Sequence, residues 1–272
     1  MSIAAITTIT RNLSEWAGAA NEKFLRVEQE QQLERHLGDP AKRAQIHVAA
    51  WMLGTWHLGH GFVQVMNGNG RGFDEARIGQ SLRRCSLLLR HTHHQPVRRA
   101  SNPKQAFSVM QGALTALLGL ALADPGAEAL YDILLAQPDS TFGETDHLPL
   151  FVRELLRVRA GDRPNVASRL GPYEEVFRHW TGDQRLLAQH LAAALDVHLQ
   201  QVRGAGSTFE DPPCRLYPTE VLAVRNVRKW LSLPTPKVEH PLMFTNLVTM
   251  LPDAAWPAHD IVQKLERSLR TR

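Results

Sequence analysis

The sequence has little cysteine, no long apolar run and no familiar catalytic motif, and each absence narrows what the protein can be. Its two cysteines, Cys85 and Cys214, are too few for a disulfide framework or a cysteine-built zinc site. The longest apolar stretch, residues 113–123, has about half the length that a membrane span needs. Residues 1–12 lack the basic start and apolar run of a secretory signal. We therefore expect a cytoplasmic protein with no membrane partner.

Motifs of the common enzyme classes are also missing. The chain contains no Gly-x-Ser-x-Gly elbow, no phosphate-binding loop ending in Gly-Lys-Ser/Thr, and no His-Glu-x-x-His. Its net charge is +4, but the arginines alternate with acidic residues along most of the chain, whereas nucleic-acid-binding proteins usually gather them into a stripe. We expect a non-enzymatic protein with no catalytic residue, no cofactor and no nucleic-acid partner.

Helix signals dominate the sequence. Apolar residues recur at three- and four-residue intervals, most regularly in 183–203, and the alternation typical of strands is nearly absent. Short motifs punctuate these segments, with glycine suited to the position after a helix and aspartate to the cap of the next one. The motifs are Gly38-Asp39-Pro40, Ala123-Asp124-Pro125, Gly161-Asp162 and Gly182-Asp183. Tight stops and starts of this kind indicate antiparallel helical hairpins.

The sequence thus predicts an all-α fold, an irregular array of antiparallel helical hairpins with tetratricopeptide-like packing. No fixed repeat period is present. We expect a single all-helical domain over 1–272, which could divide near 96–103. Helices are expected over 14–37, 40–66, 73–91, 103–122, 126–136, 148–160, 172–181, 183–203, 218–233 and 258–269. Stacked helix pairs form curved surfaces, which mostly hold a partner.

Histidines are the candidate metal ligands. His57 and His60 lie three residues apart on one helix face, and His47 could share that face. No acidic residue occurs between Lys42 and Gly72, so a carboxylate ligand would have to come from elsewhere. Hydrogen-bonded imidazoles packed on an amphipathic helix are the simpler interpretation, and we predict no metal site. A metal-dependent helical enzyme centred on these histidines stays an alternative.

The most basic stretch of the chain combines histidines and arginines and has two interpretations. Its residues are Arg83, Arg84, His91, His93, His94, Arg98 and Arg99. They could contact phosphates. They lack the interleaved aromatic residues on which bases stack, and cations at a helix end complement the helix dipole, so a solvated helix end is favoured.

Two long polar loops are the predicted partner-binding surface. Residues 137–147 carry Asp139, Glu144 and Asp146. Residues 204–217 carry Phe209, Glu210, Asp211 and Arg215. Loops of this length inside a helical domain are often functional, although they can also serve only to bridge distant helix ends.

A family resemblance enters in the C-terminal half. The first motif is a Leu-x-x-Ala-Leu-x-x-His pattern at Leu191, Ala194, Leu195 and His198. A proline-containing loop with Pro218 follows, and then a Leu/Ala-rich helix with Leu222 and Ala223. The last motif is Pro241-Leu242. In these motifs the stretch from Trp180 to about Leu247 resembles the bacterial immunity-protein-49 family, although this chain is basic where the family is usually more acidic. The resemblance implies a non-enzymatic cytoplasmic immunity protein, or antitoxin, that binds a cognate bacterial toxin and blocks its active site.

A different kind of binding protein is the main alternative. An α-repeat adaptor or regulator would hold a peptide or protein in a concave groove lined by residues such as Trp180, His190 and Tyr217. A toxin gene beside the gene for this chain is expected for the immunity protein and not for the adaptor.

Overall fold

The fold is all-α, as the sequence predicts. The computed structural model describes residues 3–37, 39, 42–94, 108–143, 146–166, 168–202, 211–250 and 255–270. Its α-helices are α1 (Ile3–Trp16), α2 (Ala19–Asn21), α3 (Glu28–His36), α4 (Arg43–Met66), α5 (Gly72–His94), α6 (Val109–Leu122), α7 (Glu128–Leu135), α8 (His147–Arg159), α9 (Glu174–Arg178), α10 (Gln184–Gln201), α11 (Thr219–Trp230), α12 (Asn246–Thr249) and α13 (Asp260–Arg270). Within these ranges there is no strand, and no helix combines the length and hydropathy needed to cross a bilayer.

The chain divides by its internal contacts into two compact units. We call Thr10–Ser108 with Met250–Arg272 the hairpin unit, and Met1–Ile9 with Val109–Thr249 the central unit. The expectation of one domain over 1–272 stays a prediction.

The hairpin unit is built on α4 and α5, which pack against each other along their length. Gly68 takes a left-handed φ of 87° in the turn that joins them, and Asn69 N donates to the carbonyl of Gln64 (3.0 Å). The core of the unit consists of buried apolar residues from α3, α4, α5 and α13: Leu33, Ile46, Ala49, Ala50, Leu53, Leu82, Cys85, Leu89, Ile261, Val262 and Leu265. The Gly-rich segment between α4 and α5 is thus a hydrogen-bonded hairpin turn.

Glycines allow α4 and α5 to approach closely. Gly54 faces Gly79, and Gly61 faces Gly72, so the two pairs fit an antiparallel register. A Cβ atom built on Gly79 would lie 2.6 Å from the carbonyl oxygen of Gly54, and one built on Gly61 would lie 2.5 Å from that of Gly72. Side chains larger than hydrogen would therefore collide with backbone. We call these four residues the glycine seam.

The central unit is arranged around α6. Every residue from Gly112 to Leu122 is buried, and α6 packs against α8 and α11. The longest apolar stretch of the sequence, residues 113–123, thus lies mostly in the core of this unit. Removing a leucine from water here contributes about 2 kcal/mol, so the eleven-residue stretch is a main source of stability for the unit.

The predicted punctuation is confirmed in part: Asp162 caps none of the described helices and instead accepts from Arg157 (3.1 Å), and Gly38 and Pro40 lie outside the described residues. Asp183 caps α10, since its Oδ1 accepts the amide of Arg185 (2.7 Å). Gly161, at φ 103°, ends α8. At 123–125 the outcome differs, because Ala123 itself takes the left-handed φ of 58° and Asp124 Oδ1 accepts the amide of Gly126 (2.9 Å) in a turn before α7.

The N-terminal helix expected over 14–37 is wrong in its start and its continuity. The first described helix begins at Ile3 and ends at Trp16, and the next helix begins at Ala19. Gly18 lies at the break, with extended backbone angles. Residues 22–27 then form a π-helical segment that continues into α3.

Candidate functional site

Two predicted partner-binding residues of the first loop, Asp139 and Asp146, form intramolecular contacts. Asp139 forms an ion pair with Arg153 (2.5 Å), and Asp146 Oδ2 accepts the amide of Gly143 (2.8 Å). The hydrogen bond and the positive charge of Arg153 hold the pKa of Asp139 below its usual value. Arg169 also donates to the carbonyl of Phe142 (2.9 Å). The loop around Asp139 and Asp146 is therefore a hydrogen-bonded part of the fold.

The second predicted loop is described only at its end. Asp211 and Arg215 lie in the ordered segment before α11, while Glu144 of the first loop and Phe209 and Glu210 of the second lie outside the described residues. The carbonyl oxygen of Arg215 contacts Nε2 of His198 (3.2 Å). The backbone at Arg215 is thus fixed to α10.

That contact belongs to a buried polar network. His198 and Glu220 are both fully buried, and His198 Nδ1 lies 3.0 Å from the carboxylate of Glu220, which also accepts Thr219 Oγ1 (3.1 Å). Burial, and then the negative charge of Glu220, raise the pKa of Tyr173 well above its usual value. This buried network joins α10 to α11 and, through the carbonyl of Arg215, to the segment before α11.

His57 and His60 do share one face of α4, as expected, and the missing carboxylate comes from α5. Glu75 Oε1 lies 3.2 Å from His57 Nδ1, and Oε2 lies 2.9 Å from His60 Nδ1. Burial alone would raise the pKa of Glu75, but hydrogen bonds from the two histidines outweigh it, and the pKa lies below its usual value. His47 is placed differently, with its carbonyl oxygen accepting Ser86 Oγ (2.5 Å).

Each of these two histidines contacts a different oxygen of Glu75, which favours the packing interpretation over a metal centre. In the described part of the chain, the group that brings three potential ligand atoms within 4.8 Å of one another is Glu175, His179 and His190. The sequence analysis did not single out this trio.

The basic stretch does not form one exposed surface. Arg83 is buried, with its guanidinium 4.0 Å from the ring centroid of Trp51, and Arg84 is buried against Glu266 (3.0 Å). Arg98, Arg99 and the side chains of His93 and His94 lie outside the described residues. The expected role of Arg83 and Arg84 at a solvated helix end is therefore wrong, because both pack inside the hairpin unit.

The prediction of a concave surface groove lined by Trp180, His190 and Tyr217 is also wrong. Trp180 and Tyr217 are buried in the central unit. Their aromatic rings carried no signal of burial at the sequence level, because an exposed and a buried aromatic look alike in a helical pattern.

The central unit instead has a cavity of about 530 Å³ between the end of α6, α7, α8 and α11. We call it the Trp230 cavity. It is lined by Gly119, Leu120, Ala123, Asp124, Pro125, Glu128, Tyr131, Arg159, Asn226, Val227, Lys229 and Trp230. Asn226 supports its wall by donating to the carbonyls of Leu120 (2.8 Å) and Ala121 (3.0 Å), at the end of α6.

An arginine between two aromatic rings dominates this cavity. The guanidinium of Arg159 lies 4.8 Å from the ring centroid of Trp230 and 5.2 Å from that of Tyr131. Both of its terminal nitrogens donate to the carboxylate of Glu128, one of them at 3.0 Å. These contacts hold Arg159 in one orientation, since a bidentate pair fixes the guanidinium plane.

Comparisons of the chain with protein-family models, with curated proteins and with solved structures found no match.

Trp230 is the most exposed large apolar residue among those described, with 68% of its surface accessible. It is the last residue of α11. It lies three residues after the buried Val227, on the same helix face, so helical spacing alone does not predict its exposure. The motif residues Leu191, Ala194, Leu195, Leu222, Ala223 and Leu242 are all buried in the central unit.

Proposed function

We propose that this chain is a cytoplasmic, non-enzymatic immunity protein that binds a cognate bacterial toxin through the Trp230 cavity and covers the toxin's active site. The observation that carries the binding role is the exposed Trp230 beside Arg159 and Tyr131. Tryptophan, tyrosine and arginine are the residues that supply most of the binding energy in protein interfaces, above all where they surround a pocket. The toxin as partner rests on the family resemblance.

The chemistry of the cavity also specifies the complementary surface. The charge of Arg159 is balanced by Glu128, and Asp124 is buried in its own turn. Lys229 at the rim is exposed and has no ion-pair partner among the described residues. An apolar toxin side chain entering the cavity, flanked by a carboxylate that reaches Lys229, would satisfy both features.

Binding and growth assays test this proposal. The product of the neighbouring toxin gene is co-expressed with the chain, and binding is measured by calorimetry and protection by growth. Trp230→Ala should lose about 2 kcal/mol or more of binding free energy, roughly a 30-fold increase in Kd, and should lose protection.

Phe244→Ala is the matched control. Phe244 is an aromatic residue of the same unit with 67% of its surface accessible, and it does not line the cavity. It should leave both readouts unchanged. Equal effects of the two substitutions would remove the cavity from the interface, and absence of any complex with the toxin would contradict the immunity role. Capture of a different peptide or protein by the same surface would favour the adaptor.

A further inference from the structure

Two histidines and a glutamate converge where α9 turns back into α10, away from the residues of the Trp230 cavity. Glu175 lies in α9, His179 directly follows the last residue of α9, and His190 lies in α10. Glu175 Oε2 lies 3.4 Å from His179 Nε2 and 4.0 Å from His190 Nε2. The two imidazole rings are nearly parallel, with centroids 5.1 Å apart and an angle of 6° between planes. The three ligand atoms, two nitrogens and one oxygen, thus lie within 4.8 Å of one another.

The second carboxylate oxygen of Glu175 is already engaged. Arg178 Nε donates to Oε1 of Glu175 (2.8 Å), and the same guanidinium reaches Glu174 (2.5 Å). This leaves Oε2 turned toward the histidines. Carboxylates that bind metals are commonly held in this way by a hydrogen bond to the oxygen that faces away from the metal.

The distances suit a small tetrahedral cation. With Zn–N and Zn–O distances of about 2.1 Å, neighbouring ligand atoms are separated by roughly 3.4 Å. The separation of Glu175 and His179 already matches this value, whereas His190 Nε2 must approach Glu175 Oε2 by about 0.6 Å and its ring must turn out of the parallel arrangement. All three side chains are partly buried, with 24% to 40% of their surface accessible, so an ion would remain in reach of solvent.

We propose that Glu175, His179 and His190 form a binding site for one zinc ion, with its fourth position open to water or to an exogenous ligand. Two imidazoles and one carboxylate are a ligand set that zinc uses where a position remains open. The ion would join α9 to α10 across the turn at 181–183. This site goes beyond the proposed toxin-binding role and does not depend on it.

Zinc titration of the full-length chain tests the site directly. The protein is purified without a histidine tag, stripped with a chelator and titrated with zinc chloride alone by calorimetry, with cobalt as a spectroscopic substitute. We expect one zinc ion per chain, an absorption spectrum of tetrahedral cobalt, and a higher Tm with zinc, because a ligand that binds only the folded state stabilises it.

Near-isosteric substitutions assign the ligands. Each of His179→Gln, His190→Gln and Glu175→Gln should weaken zinc binding by at least roughly 10- to 100-fold and lose the cobalt spectrum. His60→Gln is the matched control, because His60 is also a half-buried histidine beside a glutamate and should leave zinc binding unchanged. Circular dichroism checks that every variant keeps its helices. Absence of zinc binding by the native chain, or unchanged binding in the His179→Gln/His190→Gln double variant, would overturn the assignment.

Discussion

Replacing Gly79 by alanine tests whether the glycine seam sets the distance between α4 and α5. The new Cβ would lie 2.6 Å from both the carbonyl oxygen of Gly54 and the amide nitrogen of Leu58. Comfortable contacts begin at about 3.5 Å, so the helices must separate by roughly 1 Å, and a gap of that size forfeits up to about half of the attraction between facing atoms. Overpacking of this kind costs about 1–3 kcal/mol.

Helix propensity acts in the opposite direction. Alanine favours a helix interior over glycine by about 1 kcal/mol. The net expectation for Gly79→Ala is therefore a loss of about 0–2 kcal/mol in the free energy of unfolding, where propensity alone would give a gain of about 1 kcal/mol. Urea denaturation followed by circular dichroism measures it, and hydrogen exchange in α4 and α5 locates the effect.

A glycine outside the seam provides the control. A Cβ on Gly182 would have no neighbour closer than 3.9 Å, so Gly182→Ala should change stability by no more than about 0.5 kcal/mol. If Gly79→Ala were more stable than the native chain by the roughly 1 kcal/mol that propensity alone gives, then close approach at the seam would not be what requires glycine there.

The remaining predictions concern buried polar groups. Arg228 is fully buried and its guanidinium donates to the carbonyl of Trp180, so Arg228→Met should lower the urea midpoint by the equivalent of about 3 kcal/mol. A loss no larger than that of Arg185→Met, at an exposed arginine, would contradict this. Glu220→Gln should lower the free energy of unfolding by about 1–3 kcal/mol, because an amide cannot accept all the hydrogen bonds of the carboxylate. An unchanged Tm would show that the network is dispensable for stability. Burial, and then the positive charge of His57, hold the pKa of His259 below its usual 6.5, so the folded state binds fewer protons than the unfolded state. The stability that comes from the uncharged His259 is present above pH 6.5 and is lost as the pH falls through the folded pKa. His259→Gln should therefore reduce the fall in Tm on acidification. An unchanged dependence of Tm on pH would refute this prediction.

Local signals made the helices predictable. The cap at Asp183 and the stop at Gly161 depend on a few neighbouring residues, and the apolar content of α6 indicated its burial. The start of α1 before residue 14 does have a local signal, because Ile6 and Ile9 lie at helical spacing and both are buried.

The sites depend on which helices meet, and the sequence specifies this less directly. His57 and His60 could be identified as a pair, but their partner Glu75 follows from the register of α4 against α5. The spacing of Glu175 and His179, four residues apart, could have identified them as a pair, but His190 reaches them only because of how α10 packs against α9. The ion pair between the predicted loop residue Asp139 and Arg153 likewise depends on how α8 packs beside the loop, and the role of Asp139 in binding a partner stays a prediction.

The glycine seam also has an evolutionary consequence. Two glycines seven residues apart, an eleven-residue step across the turn, and two more glycines seven apart form the pattern Gly-x6-Gly-x10-Gly-x6-Gly. Because each of the four contacts involves backbone, drift at these positions is restricted even where every other side chain of the hairpin changes. Distant descendants of this chain should therefore be recognisable by that spacing long after their remaining sequences have diverged.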